Sequence, residues 1–232
     1  REVAERLPSH DPRGDGGDGA VRRLGHEGHG ARGAGVDLNE VDLAVFHCEL
    51  DVHQAHDVKR LCQRAASFIE EGDTLFIDCG STLIPLLSQL SRFHELTVVT
   101  YALNVANAVA ALPNVRLVLL GGLFYASSQS FGSDGMGAAI ERLGINKALI
   151  SAAGVDCERG VSCFHFHEVG PKQAAIATAM QRLLIVDASK FGVVRPAYFA
   201  SLEDFDIVVT DDERAPGLLE RHPLSTLSIS LA

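Results

Sequence analysis

The chain has 232 residues, of which 47% are hydrophobic and 22% charged, and its formal net charge is −10 at pH 7. This length accommodates one α/β domain with a full core and a small appendage. The acidic balance argues against DNA binding through the overall charge of the chain. No apolar run approaches the ~20 residues of a membrane helix and the first residues do not resemble a signal peptide, so we expect a soluble, cytoplasmic protein with no membrane contact. Five cysteines without a CxxC pair favour reduced thiols over a disulfide framework or a zinc knuckle.

Residues 1–50 differ in composition from the rest of the chain. Residues 14–35 are rich in glycine, with scattered arginine and histidine and hardly any apolar periodicity. Such a segment cannot build a core. We therefore predict an irregular N-terminal segment over residues 1–50 and one folded, ligand-binding domain over residues 51–232.

From residue 53 onward, the apolar residues follow helical and strand patterns in turn. Apolar residues recur at helical spacing between Val58 and Ile69, and we expect Gly72 to cap the end of this helix. Continuous apolar runs predict buried parallel strands at residues 74–78, 96–100, 115–120, 147–151, 183–187 and 206–210. Further helices are predicted at about residues 82–91, 103–112, 134–143, 167–181 and 213–221. The sequence therefore predicts an α/β protein with a doubly wound, mostly parallel sheet.

The first predicted strand ends in a glycine turn immediately before a helix. Gly80 allows a ligand to approach the backbone closely, and Ser81 and Thr82 supply hydroxyl groups. The N–H groups of a first helical turn attract anions, so the sequence predicts a phosphate-binding loop here. Asp78, at the end of the strand, would suit a sugar hydroxyl instead. The alternative is an ordinary strand–helix turn with Ser81 as an N-cap.

Polar and glycine residues also follow the other predicted strands. They include Thr100, Asn104, Gly121, Gly122, Asp156, Asp187, Lys190 and Asp211. Ligands of doubly wound sheets bind beyond the carboxyl ends of the strands, so we predict that these residues line one site. Each also has a structural interpretation: Asn104 can cap a helix, the glycine pair can turn the chain, and Lys190 can be a solvated loop charge.

His165, His167 and Glu168 form a second group of interest. In an extended segment both histidines point to the same side, and Glu168 adds a carboxylate, so the group could bind a metal. No further strong ligand is evident nearby and surface histidines are common, so we predict no metal. Glu168 and Lys172 stand at the i, i+4 spacing of a helix-surface pair. The chain has no Gly-x-Ser-x-Gly nucleophile motif, and we expect no cofactor.

Residues 56–212 resemble the effector-sensing domain of the DeoR-type bacterial repressors of sugar and nucleoside catabolism. The matching marks, in order, are Asp78-Cys-Gly-Ser-Thr82, Thr100 with Asn104, Gly121-Gly122, Phe131-Gly132, Gly154-Val-Asp156, Glu168 with Lys172, Asp187-Ala-Ser-Lys-Phe191 and Thr210-Asp211. The resemblance implies a Rossmann-like fold similar to that of ribose-5-phosphate isomerase. It also implies a transcriptional regulator whose effector is a phosphorylated sugar, deoxyribose 5-phosphate or a near relative.

We expect such an effector to divide its groups between two sets of residues. The phosphate would bind Gly80, Ser81, Thr82 and Lys190, although the sequence does not decide between Lys172 and Lys190 as the phosphate lysine. The sugar hydroxyls would bind Asp78, Asn104, Asp156 and Glu168.

The same resemblance supplies an alternative function, a sugar-phosphate isomerase of the ribose-5-phosphate isomerase type. Such an enzyme needs a carboxylate that moves a proton between adjacent carbons and a cation that stabilises the enediolate; Asp156, Glu168 and Lys190 are suitable residue types. Lys172 should favour the charged form of Glu168 and so weaken it as a base. We therefore expect a sensor that binds the sugar phosphate without converting it, and not an enzyme.

The start of the chain departs from the family pattern of an N-terminal winged helix–turn–helix. Residues 12–35 lack the helical pattern that a recognition helix requires. We expect operator DNA to bind only through an intact N-terminal domain, and we expect this chain to lack one. Sensor domains of the family pair with one another, and residues 224–231 alternate like an edge strand. We therefore expect a homodimer or homotetramer.

Overall fold

Helices and strands alternate along the chain in the computed structural model, which describes residues 52–211 and 228–232, with side chains from residue 57 onward. The α-helices of these ranges are α1 Val52–Ala66, α2 Ile84–Leu87, α3 Leu103–Ala110, α4 Met136–Ile140 and α5 Val169–Thr178. The strands are β1 Thr74–Ile77, β2 Leu96–Thr100, β3 Val115–Leu119, β4 Leu123–Tyr125, β5 Ser130–Gly132, β6 Lys147–Ser151, β7 Gly154–Asp156, β8 Gly160–Cys163, β9 Gln181–Ile185, β10 Ala197–Ala200, β11 Ile207–Thr210 and β12 Ser228–Leu231. The irregular segment predicted at residues 1–50 and the helix predicted at residues 213–221 lie outside the described residues.

Seven strands form the central sheet in the order β12-β11-β9-β6-β1-β2-β3. All neighbouring strands in this order run parallel. The chain builds outward from β1 to β3 on one side and from β6 to β12 on the other, so the predicted doubly wound α/β fold is confirmed. The strand order reverses between β1 and β6, and ligands of such sheets bind in the crevice beyond the carboxyl ends of the strands at this point.

Burial explains why the strands carry continuous apolar runs. Leu75, Phe76 and Ile77 of β1 are buried, as is the whole of β6, since helices cover both faces of a parallel sheet. Helix α2 contacts both α1 and α3, whereas α4 packs on α5, so the helices form two groups. Among residues 52–211, no helix has the length and apolar character needed to cross a membrane.

Most of the predicted elements are present, with one notable departure. The strands predicted at residues 96–100 and 147–151 are confirmed at those bounds as β2 and β6. The helix predicted at residues 82–91 is instead a 3-10 turn at Ser81–Leu83, the short α2, and a second 3-10 turn at Ser88–Arg92. Pro85 lies in the first turn of α2, where its missing N–H interrupts a longer hydrogen-bond ladder.

Five short strands outside the central sheet were not predicted. Strands β4 and β5 form an antiparallel hairpin, and β10, β8 and β7 form a three-stranded antiparallel sheet. Strands of three or four residues are too short for a reliable apolar period. The hairpin lies beside the chain that leaves β2, because Phe131 N–H donates to the Tyr101 carbonyl at 2.8 Å and Ala102 forms a bridge with Ser130.

Candidate functional site

Asp78 lies just beyond β1, at the point where the strand order reverses, and it is fully buried. The Tyr101 hydroxyl donates to Asp78 Oδ1 at 2.6 Å, and Ser151 donates to Oδ2 from its N–H at 3.1 Å and its hydroxyl at 2.6 Å. Lys172 Nζ also donates to Oδ2. Burial raises the pKa of Asp78, but the Lys172 charge and these hydrogen bonds outweigh burial and bring the pKa below its usual value. Asp78 thus organises the site from within, in place of the expected contact with a sugar hydroxyl.

Lys172 lies on α5 with only 1% of its surface exposed. Its Nζ donates to the Ser151 carbonyl at 3.1 Å in addition to Asp78, and it lies 5.0 Å from the centre of the Phe199 ring. Burial lowers the pKa of this lysine, but the negative groups around it, Asp78 first, raise it above its usual value. Lys172 is therefore a charged lysine that is already engaged by the protein.

Glu168 precedes α5 directly and brings a second carboxyl group to Lys172. Its Oε2 lies 4.0 Å from Lys172 Nζ, and its side chain is 8% exposed. Burial raises the pKa of Glu168 above its usual value, and Lys172 offsets only part of this effect. The sequence-based expectation that Lys172 favours the charged form is therefore wrong in its net direction, because burial has the larger effect. We call Asp78, Lys172 and Glu168 the buried charge cluster.

The turn that follows β1 has the form expected of an anion-binding loop. Gly80 is the N-cap of the 3-10 turn, with extended φ and ψ of −64° and 136°, and no side chain caps this turn; the interpretation of Ser81 as an N-cap is wrong. A Cβ atom on Gly80 would lie 1.9 Å from Ser151 Oγ, so only glycine allows the turn to pack this closely on β6. Within the described residues, no acceptor is hydrogen-bonded to the backbone N–H of Ser81 or Thr82. Two such N–H groups are suited to an anion.

Thr100 and Asn104 have local partners near the end of β2. The buried Thr100 hydroxyl donates to the Ile77 carbonyl at 2.8 Å and accepts from Ala102 N–H at 3.1 Å. This residue therefore ties β2 to β1. Asn104 is half-buried in the first turn of α3, and its Oδ1 accepts from Val105 N–H at 2.9 Å. Ala102 is the N-cap residue of that helix, so Asn104 does not occupy the N-cap position but does satisfy an N–H group of the first turn.

Gly121 and Gly122 turn the chain from β3 into the β4–β5 hairpin. Gly122 has a φ of 154°, and a Cβ atom there would lie 2.3 Å from the Gly132 carbonyl oxygen. The structural interpretation of this pair, a chain turn, is thus supported by a close backbone approach. Gly121 has open space around its Cβ position.

Asp156 and Asp187 each accept hydrogen bonds from the backbone of their own turn. Asp156 Oδ1 accepts from Glu158 N–H at 3.0 Å and from Arg159 N–H at 2.9 Å between β7 and β8. Asp187 Oδ1 accepts from Ser189 N–H at 3.0 Å and caps a 3-10 turn. These bonds account for one oxygen of each carboxylate. Ligand binding by Asp156 and Asp187, expected from the sequence, remains a prediction.

Lys190 is more accessible than Lys172. Its side chain is 33% exposed, and its Nζ lies 3.5 Å from Asp187 Oδ2 and 3.0 Å from Ser189 Oγ. It follows β9, which is two strands away from β1, or about 10 Å across the sheet. Of the two lysines considered for the phosphate, Lys190 is therefore the one that is open to a ligand.

His167 contacts the β4–β5 hairpin. Its Nε2 lies 3.2 Å from the hydroxyls of both Ser128 and Ser130, and its ring stacks on Tyr125 at 3.7 Å between centroids. Burial and the neighbouring His165 lower the pKa of His167, which favours the neutral ring. In the part of the chain that the structure describes, no three metal-ligating side chains come together. His167 thus holds the hairpin against the start of α5.

Tyr101 and Ser151 complete the site and were missed in the sequence. Each occupies the carboxyl end of a strand, Tyr101 directly after β2 and Ser151 as the last residue of β6. That position was the available signal, because the ligand sites of doubly wound sheets lie there. Cys79, between Asp78 and Gly80, lies beside Tyr101, with its Sγ 3.3 Å from the Tyr101 hydroxyl.

The fold and site together define a doubly wound α/β protein with a buried charge cluster at the reversal of strand order. The family model described as "DeoR C terminal sensor domain" matches residues 53–212. The chain therefore belongs to the DeoR C-terminal sensor domain family.

The chain is similar to several curated repressors. It is 37% identical over 153 residues to the deoxyribose operon repressor of Escherichia coli strain K12, covering 66% of this chain and 61% of that protein. It is 30% identical over 158 residues to the glycerol-3-phosphate regulon repressor of the same strain, covering 68% and 63% of the two chains. The HTH-type transcriptional regulator IolR of Bacillus subtilis strain 168 is 29% identical over 185 residues, covering 78% and 73%.

Two solved structures are similar to the chain at low sequence identity. eIF2B beta from Chaetomium thermophilum has a TM-score of 0.52 and 17% identity, covering 73% of this chain and 54% of that one. Ribose 5 phosphate isomerase A from Neisseria gonorrhoeae has a TM-score of 0.42 and 16% identity, covering 58% and 52%. Identities this low concern the fold alone.

Proposed function

We propose that the protein is the effector-sensing part of a DeoR-family transcriptional repressor and that it binds a phosphorylated sugar, deoxyribose 5-phosphate or a near relative. The family match and the similarity to the deoxyribose operon repressor support this role. The chain spans 61% of the length of that relative, and we assign operator DNA binding to an N-terminal domain of the intact regulator. The observation that carries the proposal is the pair of available N–H groups at Ser81 and Thr82, at the reversal of strand order.

The phosphate is assigned to the turn at residues 80–82. The free N–H groups of Ser81 and Thr82 and the nearby Ser81 hydroxyl form charge-assisted hydrogen bonds to phosphate oxygens. Lys190 supplies the accessible positive charge, because Lys172 is engaged by Asp78.

The sugar is assigned to Glu168 of the buried charge cluster and to Asn104. Glu168 and Asn104 accept hydrogen bonds from the hydroxyls, and Asp156 remains a third candidate. Asp78 and Lys172 act indirectly, because they fix the position of Glu168. We further propose that the protein acts in the cytoplasm, where its metabolite effector accumulates, and as a homodimer or homotetramer.

A Ser81→Pro substitution tests the assignment of the phosphate. Proline removes the N–H of residue 81 and suits the first position of a helical turn. The extended ψ of 136° at Gly80 is the conformation that a residue before proline prefers, so the fold should be retained. Proline also lacks the serine hydroxyl, so the effect of the N–H is read against an alanine variant. Loss of its charge-assisted hydrogen bond should weaken deoxyribose 5-phosphate binding about 10- to 100-fold beyond that variant in isothermal titration calorimetry.

Ser81→Ala is the matched control, because it keeps the backbone N–H and removes only the hydroxyl. We expect a loss of less than about tenfold for this variant. Free deoxyribose, which has no phosphate, should bind neither variant nor the unaltered chain measurably. Equal affinities of the proline and alanine variants would refute the role of the residue 81 amide.

A sugar-phosphate isomerase is the second candidate, and one observation favours it. Burial raises the pKa of Glu168, which is the direction that tunes a carboxyl group towards general-base chemistry near neutral pH. Both candidates use the same phosphate turn, so binding alone does not separate them. Exchange with deuterated water of the proton on the carbon next to the sugar carbonyl separates them, because only an isomerase removes that proton.

A further inference from the structure

Helix α1 is hydrogen-bonded to the turn that is assigned to the phosphate. Cys62, fully buried on α1, donates from its thiol to the Thr82 carbonyl oxygen at 3.0 Å. Burial raises the pKa of Cys62 to about 12, so the thiol keeps its hydrogen and acts as the donor. Thr82 therefore offers its N–H group to the ligand and its carbonyl oxygen to α1.

The turn itself is closed by a hydrogen bond that links these two functions. Leu83 N–H donates to the Gly80 carbonyl at 2.9 Å, and this N–H belongs to the same peptide group as the Thr82 carbonyl. An anion held by the N–H groups of Ser81 and Thr82 restrains the turn and with it the direction of the Thr82 carbonyl. Ligand binding and the Cys62 contact therefore both depend on the backbone conformation of residues 80–83.

Other contacts of α1 make it a well-anchored element. Arg64 Nε donates to Ser230 Oγ on β12 at 2.5 Å, and Arg60 donates to the Ala232 carbonyl. At the end of the helix, Arg92 donates to the Ala66 carbonyl at 2.6 Å. Helix α1 also contacts β9 and β11, so a change at its inner face affects the helix as a unit.

Helix α1 is also the element that joins the sensor domain to the preceding part of the chain. It begins at Val52, directly after residues 1–51, and the family match begins at residue 53. Helix α1 is therefore the first element of the sensor domain in the part of the chain that the structure describes.

We propose that ligand binding at residues 80–82 is coupled to α1 and that the Cys62–Thr82 hydrogen bond is the contact that couples them. This inference rests on the proposed function, because it takes a sugar phosphate at residues 80–82 as the signal. Cys62 is a positioning residue in this scheme: it touches the turn and not the ligand.

Hydrogen–deuterium exchange of the full chain, with and without 2-deoxyribose 5-phosphate, tests the coupling. The ligand should slow amide exchange both at residues 80–83 and in α1, the latter by about three- to tenfold, which is the effect of one hydrogen bond. Peptides from α4, which packs in the other group of helices, provide the internal reference for global stabilisation.

Two substitutions at Cys62 separate the hydrogen bond from packing. Cys62→Ser keeps a donor and should keep the slowed exchange of α1, whereas Cys62→Val fills the space without a donor and should lose it. Val58→Ala is the matched control for a loosened helix, since Val58 is a buried α1 residue that leaves the thiol in place; it should keep the ligand effect.

Three results would overturn the coupling. Equal slowing of α1 in the unaltered chain and in Cys62→Val would show that the thiol does not transmit the signal. Slower exchange at residues 80–83 without slower exchange in α1 would also show that the turn is not coupled to α1, and it would leave the proposed function intact. No slowing at residues 80–83 would remove the proposed function, and the coupling with it.

Discussion

Two aspartates flank β1, and each pairs with a buried lysine at one end of the sheet. Before the strand, Asp73 Oδ2 lies 2.6 Å from Lys147 Nζ and also accepts from the Glu70 N–H at 2.8 Å. One carboxylate faces one ammonium there, and the Glu70 carboxylate, 3.7 Å from Lys147, has a side chain that is 81% exposed to water. This pair clamps the start of β1 to the start of β6.

After the strand, the buried charge cluster has two carboxyl groups and one ammonium. The side chains of Asp78, Lys172 and Glu168 are 0%, 2% and 8% exposed. Burying unbalanced charge destabilises a fold, so stability does not explain this arrangement. The Asp–Lys pair at one edge of the sheet is a clamp, and we propose that the addition of Glu168 makes the pair at the other edge a ligand site.

Replacing Lys172 by methionine should cost more stability than the same change at Lys147. Lys172→Met leaves Asp78 and Glu168 buried without a cation, which costs about 3–5 kcal/mol. Lys147→Met leaves Asp73 with its backbone hydrogen bond, and we expect a cost of about 1–2 kcal/mol. Urea unfolding followed by circular dichroism measures both free energies. Equal losses of unfolding free energy in Lys172→Met and Lys147→Met would contradict the distinction between the Asp73–Lys147 clamp and the buried charge cluster.

The sequence predicts the sheet well because its strands are long enough to show a pattern. Strands β2 and β6 fall at their predicted bounds, since each has five residues that are mostly buried. The hairpin strands β4 and β5 have three residues each and follow no distinct period. Their position depends on His167 and Tyr125, which are 42 residues apart in sequence and meet only in the fold.

The location of the site is more predictable than the roles of its residues. Asp78 and the turn at residues 80–82 are found from the rule that ligands bind at strand ends. The burial of Asp78 is a tertiary property, and it converts an expected ligand contact into an internal anchor. The same applies to Glu168, because the spacing to Lys172 is visible in the sequence, whereas the desolvation that raises its pKa is not.

Glu168 also gives the cluster a pH dependence with a definite sign. Because burial raises the pKa of Glu168 above its ordinary value of 4.5, the folded protein holds this proton more tightly than the unfolded chain. The associated stability is full below that ordinary value and is lost as pH rises through the folded pKa. Asp78 acts in the opposite sense: its pKa is lowered, so its contribution is present above its ordinary value of 3.8 and is lost as pH falls through the folded pKa.

A Glu168→Gln substitution should remove the first of these two dependences. Near neutral pH it removes a surplus buried charge, and we expect a gain of about 0.5–2 kcal/mol in the free energy of unfolding. The fall in stability on raising the pH from acid to neutral should become smaller. Denaturant unfolding across pH measures both effects, with the exposed Glu141→Gln as the matched control. A loss of stability in Glu168→Gln at neutral pH would contradict this, because it would show that Glu168 stabilises the fold, as the Asp73–Lys147 pair does.

We propose that this site senses a sugar phosphate and does not convert it. Proton NMR of ribose 5-phosphate in deuterated water, with the protein added, tests this claim directly. We predict that the sugar resonances broaden or shift on binding, while the proton on the carbon next to the carbonyl exchanges no faster than without protein. Exchange at an enzyme-like rate that is abolished by Glu168→Gln or Asp156→Asn would contradict the sensor and establish the isomerase.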